Sequence, residues 1–227
     1  TLQAGNTITV GGTITTSGAA LNLVANDNSA GTASGAGSII INSNLSTAGA
    51  NGVAGAITLT VSGGTGNVQL GANLLTDGGT VTVTGPLVVT VSGVSIDTEQ
   101  GGDNNAGTID LSGASLSANM GSASSFAITL DASSTTGTGG TVKLGTVNSG
   151  DGAFLNDLTI NATGTTGGRV ELNGNISVDS NGVNLSSFTV NTGATGGTVL
   201  NSSLTIKTEQ GDDGAAGVVD LSNTTVS

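Results

Sequence analysis

The amino-acid sequence predicts an all-β fold, a parallel β-helix (β-solenoid) of about nine coils that takes in residues 1–227. Three observations lead to this prediction. A glycine-anchored motif recurs along the chain, the residues after each glycine alternate between apolar and polar, and no segment has the apolar period of about 3.6 residues that marks a helix. The composition agrees: Gly, Thr, Ser and Asn number 40, 36, 26 and 22. Hydrophobic residues still make up 35% of the chain, so we expect a filled sheet interior rather than disorder.

Nine glycines anchor the repeated motif. The residue two positions after each anchor is Ile or Val in all nine cases, and the residue four positions after it is apolar in seven. The residues between them are mostly polar, as in Gly140–Leu144 and Gly168–Leu172. Alternation with a period of two is typical of a strand with one face buried and the other in water. The anchors are Gly12, Gly37, Gly55, Gly79, Gly107, Gly140, Gly168, Gly197 and Gly217.

The intervals between anchors have the length of short coils. They run from 18 to 33 residues, and many contain further apolar-x-apolar segments such as Ile128–Leu130 and Ile176–Val178. Stacked coils lie about 4.8 Å apart, so nine coils would form a rod of about 40 Å. We expect Gly and Asn at the corners to supply the positive φ angles of tight turns. A β-sandwich is the alternative, although its loops rarely repeat one glycine-anchored motif.

A longer repeat overlies the short one. Residues 96–112 return as residues 206–222, shifted by 110 positions and identical at 11 of 17. We interpret this interval as a duplicated block of four coils. We therefore expect the chain to be a segment of a longer repeat protein, whose neighbouring coils or further copies stack on it.

Two segments, Asn156–Ala162 and Gly168–Val178, resemble the repeats of large filamentous-haemagglutinin-like exoproteins. The resemblance is one of repeat style over nearly the whole chain and includes no diagnostic motif. It implies a right-handed β-helical stalk or fibre, exported by a Gram-negative bacterium to the cell surface and used in adhesion. The amino-terminal secretion domain of that family is not among these residues, so the export route is left open.

The charged residues exclude several classes of function. The chain has three basic residues against 15 acidic ones, a net charge of −12, and neither His nor Cys. Nucleic-acid binding needs a basic surface, and thiol or zinc–thiolate chemistry needs Cys. No run of 18 apolar residues predicts a membrane span. We therefore predict a non-enzyme with no cofactor, no nucleic-acid partner and no membrane span.

Charged side chains recur at one outward position of the motif. Asp110, Lys143 and Glu171 each lie three residues after an anchor in successive coils, with Arg169 beside Glu171. Stacking would make them a surface ladder of alternating charge. We favour this pairing role over an acid–base cluster of the kind that polysaccharide lyases carry, because exposed ion pairs need no catalytic function.

Two acidic loops are candidates for calcium binding, Asp97–Asp103 and Glu209–Asp213. The first contains Asp97, Glu99 and Asp103, and the second Glu209, Asp212 and Asp213. Carboxylates are the hard oxygen ligands that Ca²⁺ prefers. Neither loop has the EF-hand spacing or the glycine-rich calcium-roll nonapeptide. We therefore favour solvated acidic turns and assign no metal site.

Threonine pairs suggest one further alternative, an ice-binding face. Such pairs occur in Thr13–Thr15, Thr58–Thr60 and Thr80–Thr84, but other residues interrupt the series in most coils, so we attribute them to the strand propensity of Thr.

The function predicted from the sequence is a structural segment of a bacterial extracellular fibre or adhesin stalk, which mediates surface attachment or filament assembly through self-association and a glycan or cell-surface ligand. A glycan-active β-helix enzyme and a calcium-dependent self-assembly module are the alternatives.

Overall fold

The computed structural model describes residues 1–30, 32–33, 35–49, 54–119, 125–149, 154–179, 186–209 and 216–227. Within these ranges, every strand pairs in parallel with the strand one coil away, which confirms the predicted parallel β-solenoid. The helical structure of the described residues is a single 3₁₀ turn, Asn28–Ala30. No helix in that part of the chain is long and apolar enough to cross a membrane.

The strands lie on three faces that the chain visits in turn. Face 1 contains β1 (Leu2–Gln3), β4 (Leu21–Ala25), β7 (Ile57–Val61), β10 (Val81–Thr84), the first parts of β13 (Ile109–Ala118) and β15 (Thr141–Asn148), β17 (Arg169–Leu172), β20 (Gly197–Leu200) and β23 (Thr225–Val226). Face 2 contains β2 (Ile8–Val10), β5 (Ile39–Ile41), β8 (Val68–Leu70), β11 (Leu87–Val89), the second parts of β13 and β15, β18 (Ile176–Ser177) and β21 (Ile206–Lys207). Face 3 contains β3 (Ile14–Thr15), β6 (Leu45–Ser46), β9 (Leu74–Leu75), β12 (Val94–Asp97), β14 (Phe126–Asp131), β16 (Leu155–Asn161), β19 (Ser187–Asn191) and β22 (Val218–Asn223).

The predicted number of coils was too high. The described strands form eight complete three-strand coils, followed by one strand of a ninth. The nine anchors are not equivalent positions: Gly12 and Gly217 precede strands of face 3, Gly37 precedes face 2, and the other six precede face 1. All three faces use the same alternation, so the motif alone does not identify the face or count the coils.

Aliphatic side chains stack in register down the interior. On face 1, Val81 pairs with Ile57 on one side and Ile109 on the other, and all three are fully buried. On face 3, Phe188 continues the column below Leu158 and is also fully buried. Full burial of such a side chain contributes roughly 1.5–3 kcal/mol, so the aliphatic columns are the main stabilising feature of the rod.

Five of the anchor glycines of face 1 form a column because the coils approach closely there: Gly55, Gly79, Gly107, Gly140 and Gly168. None of the anchors has a positive φ, so the positive φ angles expected of Gly and Asn at the corners belong to other residues. A Cβ on Gly107 would lie 2.0 Å from the carbonyl oxygen of Gly79, and one on Gly140 would lie 1.9 Å from that of Gly107. The carbonyl of each coil thus occupies the space that a side chain of the next coil would need. Positive φ angles occur at other turn residues, such as Gly78 and Asn26.

The alternation shifts by one residue at Gly197. Thr198, not Val199, pairs with the buried Val170, and Thr198 is fully buried. Its hydroxyl lies 2.8 Å from the hydroxyl of Thr224, which satisfies the buried polar group. The predicted inward position of Val199 is therefore wrong, since pairing with the preceding coil determined the register.

The two copies of the long repeat occupy different faces. Residues 96–112 run from the end of β12 on face 3 into β13 on face 1. Residues 206–222 begin at β21 on face 2 and run into β22 on face 3, with 210–215 outside the described residues. We expected the interval to be a block of four whole coils. Because the two copies lie on different faces, that interpretation is wrong.

Candidate functional site

An acidic corner lies where the chain passes from face 3 to face 1. Asp77 follows β9 and Glu99 follows β12, so the two residues sit in adjacent coils, and an isolated antiparallel bridge joins them. The threonine before each one, Thr76 or Thr98, is fully buried. The Thr76 and Thr98 hydroxyls donate to the carbonyls of the anchor glycines that follow, at 2.8 and 3.2 Å. These bonds fix the backbone that carries both acids.

A glycine pair folds Asp103 back onto this corner. Gly101 and Gly102 have φ angles of 118° and 70°, which side-chain-bearing residues rarely adopt. The Asp103 N–H then donates to Glu99 Oε1 at 3.1 Å. One carboxylate oxygen from each of Asp77, Glu99 and Asp103 lies within 4.8 Å of the others. We call these three residues the acidic corner.

Two of the three carboxylates are removed from water. Asp77 and Glu99 are each only 5% exposed, whereas Asp103 is exposed. Asp77 Oδ1 and Glu99 Oε2 are buried oxygens that lack a hydrogen-bond partner. Burial raises the pKa of Glu99, and the nearby charge of Asp77 raises it further, while the Asp103 N–H acts in the opposite direction. Buried polar atoms are normally paired, so these two oxygens are the exceptional feature of the corner.

The acidic corner differs in one residue from the predicted set of Asp97, Glu99 and Asp103. Asp97 points elsewhere: its Oδ1 accepts from the Glu99 N–H at 3.0 Å, and its Oδ2 accepts from the Gln100 side chain at 2.5 Å. Burial raises the pKa of Asp97, with a smaller contribution from Asp131, which is one coil away in register. Asp77 was missed because it is 22 residues from Glu99. The sequence does contain a signal that could have identified Asp77, since Thr76-Asp77 and Thr98-Glu99 are both a threonine followed by an acid at the end of a face 3 strand.

The second predicted loop can be assessed only at Glu209. Both of its carboxylate oxygens are buried without a hydrogen-bond partner. Asp212 and Asp213 lie outside the described residues. The second copy of the long repeat lies on faces 2 and 3, whereas the first lies on faces 3 and 1. The likeness of the two loops therefore does not predict a residue equivalent to Asp77 beside Glu209.

The predicted charge ladder is present. Asp110 pairs in register with Lys143, and Lys143 with Glu171. Lys143 Nζ lies 3.9 Å from Asp110 Oδ2, and Arg169 Nε lies 2.7 Å from Glu171 Oε1. These side chains are partly exposed on face 1; the Lys143–Asp110 pair joins two coils, whereas the Arg169–Glu171 pair lies within β17.

The threonine pairs do not make a continuous face. Thr58 and Thr60 stack on Thr82 and Thr84, but Asn22 precedes this block and Asp110 follows it. Thr13–Thr15 leads into β3 and therefore belongs to face 3. The interruption expected from the sequence is confirmed, and the arrangement does not support an ice-binding plane.

Three open depressions lie along the C-terminal coils. One, of about 300 Å³, is lined on face 2 by residues that include Asn148, Asn175 and Lys207. A second, of about 470 Å³, includes Arg169, and a third, of about 300 Å³, is lined by residues 193–194 and 222–225. Among the described residues that line them, none has a carboxylate side chain. Glycoside hydrolysis normally requires a pair of carboxylates across the scissile bond, which these depressions do not offer.

Comparison with protein-family models, with curated proteins and with solved structures found no match to this chain.

Proposed function

We propose that this chain is a non-catalytic structural segment of a bacterial extracellular fibre or adhesin stalk, mediating surface attachment or filament assembly. The observation that carries the proposal is the unbroken parallel pairing of strands on three faces through eight coils. Eight coils spaced about 4.8 Å apart give a rod of roughly 38 Å. A rod of this kind sets a distance between its two ends, which is the task of a stalk.

The outer surface supports the same proposal. On face 3 the outward residues Thr129, Thr159 and Thr189 stack in register, and so do Asn161, Asn191 and Asn223. Such columns give a hydrated surface with hydrogen-bonding groups for glycans or neighbouring rods. Leu2 and Val219 of the outermost coils are in register with the buried Leu23 and Phe188 but are themselves 49% and 43% exposed, and further parallel strands would bury them.

Removal of a single coil tests the structural role. Each coil contacts only its neighbours, so deletion of residues 108–140, which joins Gly107 to Thr141, should leave a folded rod with a cooperative thermal transition. Electron microscopy of the parent and deleted proteins should give rods or filaments of equal width. Compact particles with no elongation for the parent protein would contradict the proposal.

The enzyme alternative is tested separately. The purified protein is incubated with a panel of acidic and neutral polysaccharides while reducing ends and unsaturated uronide absorbance are measured. We expect no turnover above a heat-denatured control. Turnover that survives further purification and is lost on substitution of Asp110 or Glu171 would favour the enzyme.

A further inference from the structure

We propose that the acidic corner, Asp77, Glu99 and Asp103, is a Ca²⁺ site that joins two adjacent coils and fixes the loop that follows the second of them. The inference does not depend on the stalk role. It replaces the ligand set suggested by the loop sequence alone with one that only the stacking of coils brings together.

The geometry fits a single hard cation. Two oxygens that each lie about 2.4 Å from one Ca²⁺ can be at most about 4.8 Å apart. The nearest carboxylate oxygens of the three residues meet this limit, since all lie within 4.8 Å of one another. Asp77 comes from one coil and Glu99 and Asp103 from the loop of the next, and rotation of the exposed Asp103 side chain can close the distance further. Water would complete the six to eight oxygens that Ca²⁺ takes.

Burial is the observation that points to a ligand. Asp77 Oδ1 and Glu99 Oε2 have no hydrogen-bond partner, and both belong to residues of the corner that are 95% buried. The two ion pairs found among the described residues involve Asp110 and Glu171, so neither buried acid has a basic partner there. A buried carboxylate without a partner is costly, and a pair of them repel each other as well. A divalent cation removes both costs at once.

The chemistry selects Ca²⁺ among common cations. The site offers only oxygen ligands, which suit Ca²⁺ or Mg²⁺ better than zinc. Mg²⁺ requires nearly ideal octahedral geometry and retains its water, whereas Ca²⁺ accepts irregular cages. The acidic corner combines two buried acids with one exposed acid on a Gly-Gly loop, so its ligands are not arranged as a regular octahedron. This arrangement favours Ca²⁺, the larger ion.

Calorimetric titration with CaCl₂ of the full chain, first stripped with chelator, tests the proposal. We expect one binding event assigned to this corner and a rise in the melting temperature with Ca²⁺ concentration. Asp77→Asn and Glu99→Gln should each weaken the affinity at least about tenfold, because each removes a charged ligand while preserving shape. Mg²⁺ should bind at least about tenfold more weakly than Ca²⁺.

Two further variants make the outcome decisive. Asp103→Asn removes the exposed ligand without disturbing the buried corner, so it should weaken binding even if the buried variants fold poorly. Asp97→Asn is the matched control, since this acid is adjacent in sequence but bound to Glu99 N–H and Gln100, and its substitution should leave the affinity within about twofold. Absence of binding heat, or an affinity unchanged by Asp77→Asn and Asp103→Asn, would overturn the proposal.

Discussion

At the scale of single residues, the glycine column is the least replaceable feature of the rod. In Gly107→Ala, the new methyl group would meet the Gly79 carbonyl oxygen at 2.0 Å, so the coils must separate locally. We expect a loss of about 1–3 kcal/mol in the free energy of unfolding. Denaturant unfolding followed by circular dichroism measures it.

Gly113→Ala is the matched control for this prediction. A Cβ at Gly113 meets no neighbour closer than 3.9 Å, and its φ is not positive. The substitution should therefore be neutral, or stabilising by about 0.4–1 kcal/mol through the unfolded chain. Equal losses in the two variants would mean that close approach of the coils is not the reason for the glycine.

The turn at Asp27 lowers the pKa of its carboxyl group. Its carboxylate accepts from the Ser29 N–H at 2.9 Å and from the Ser29 hydroxyl at 2.8 Å, and these bonds lower its pKa. Because the folded pKa lies below that of the unfolded chain, the associated stability is present above the ordinary Asp value and is lost as the pH falls through the folded pKa. Ser29→Ala should raise the pKa of Asp27 towards the ordinary value in a carbon-detected NMR titration. An unchanged pKa in the variant would show that the hydroxyl contributes nothing.

At the scale of strands, the charge ladder should contribute to register more than to stability. Lys143→Glu would place three acids in register between β13, β15 and β17, where like charges oppose each other directly. We expect a loss of roughly 1 kcal/mol that shrinks in 1 M salt. Lys207→Glu makes the same charge change on β21, where Ser177 is the residue in register, and should cost less. If both variants lose equal stability, the ladder has no specific role.

The shifted register of β20 gives a second prediction at this scale. Thr198→Asn should destabilise by about 1–3 kcal/mol, because Thr198 is fully buried and a larger amide has no room there. Val199→Asn should stay within about 0.5 kcal/mol, because Val199 pairs with the outward Glu171. Simple alternation after Gly197 predicts the reverse order, so thermal unfolding of the two variants distinguishes the two registers.

At the scale of the whole molecule, periodicity was sufficient to predict the fold class but not the assignment of strands to faces. Gly55, Gly79 and Gly107 precede face 1 as one column, yet Gly37 carries the same motif into face 2. Which face a strand joins depends on its pairing with neighbouring coils, and a local pattern does not contain that information. The charge ladder could be predicted because its residues are equivalent in successive coils. Asp77 was missed although it shares a Thr-acid pair with Glu99, because only the stacking of one corner on the next brings the two carboxylates together.

The central claim is that the chain forms a rod in which each coil adds one strand spacing. A column on face 1 runs from Asn22 through Thr58, Thr82, Asp110, Lys143 and Glu171 to Val199. The chain has no Cys, so spin labels can be attached at Asn22→Cys and Val199→Cys alone. Six steps of about 4.8 Å predict a narrow distance distribution centred near 29 Å, broadened by the label arms, in double electron–electron resonance. A broad distribution, or a centre below about 20 Å, would contradict the stacked rod.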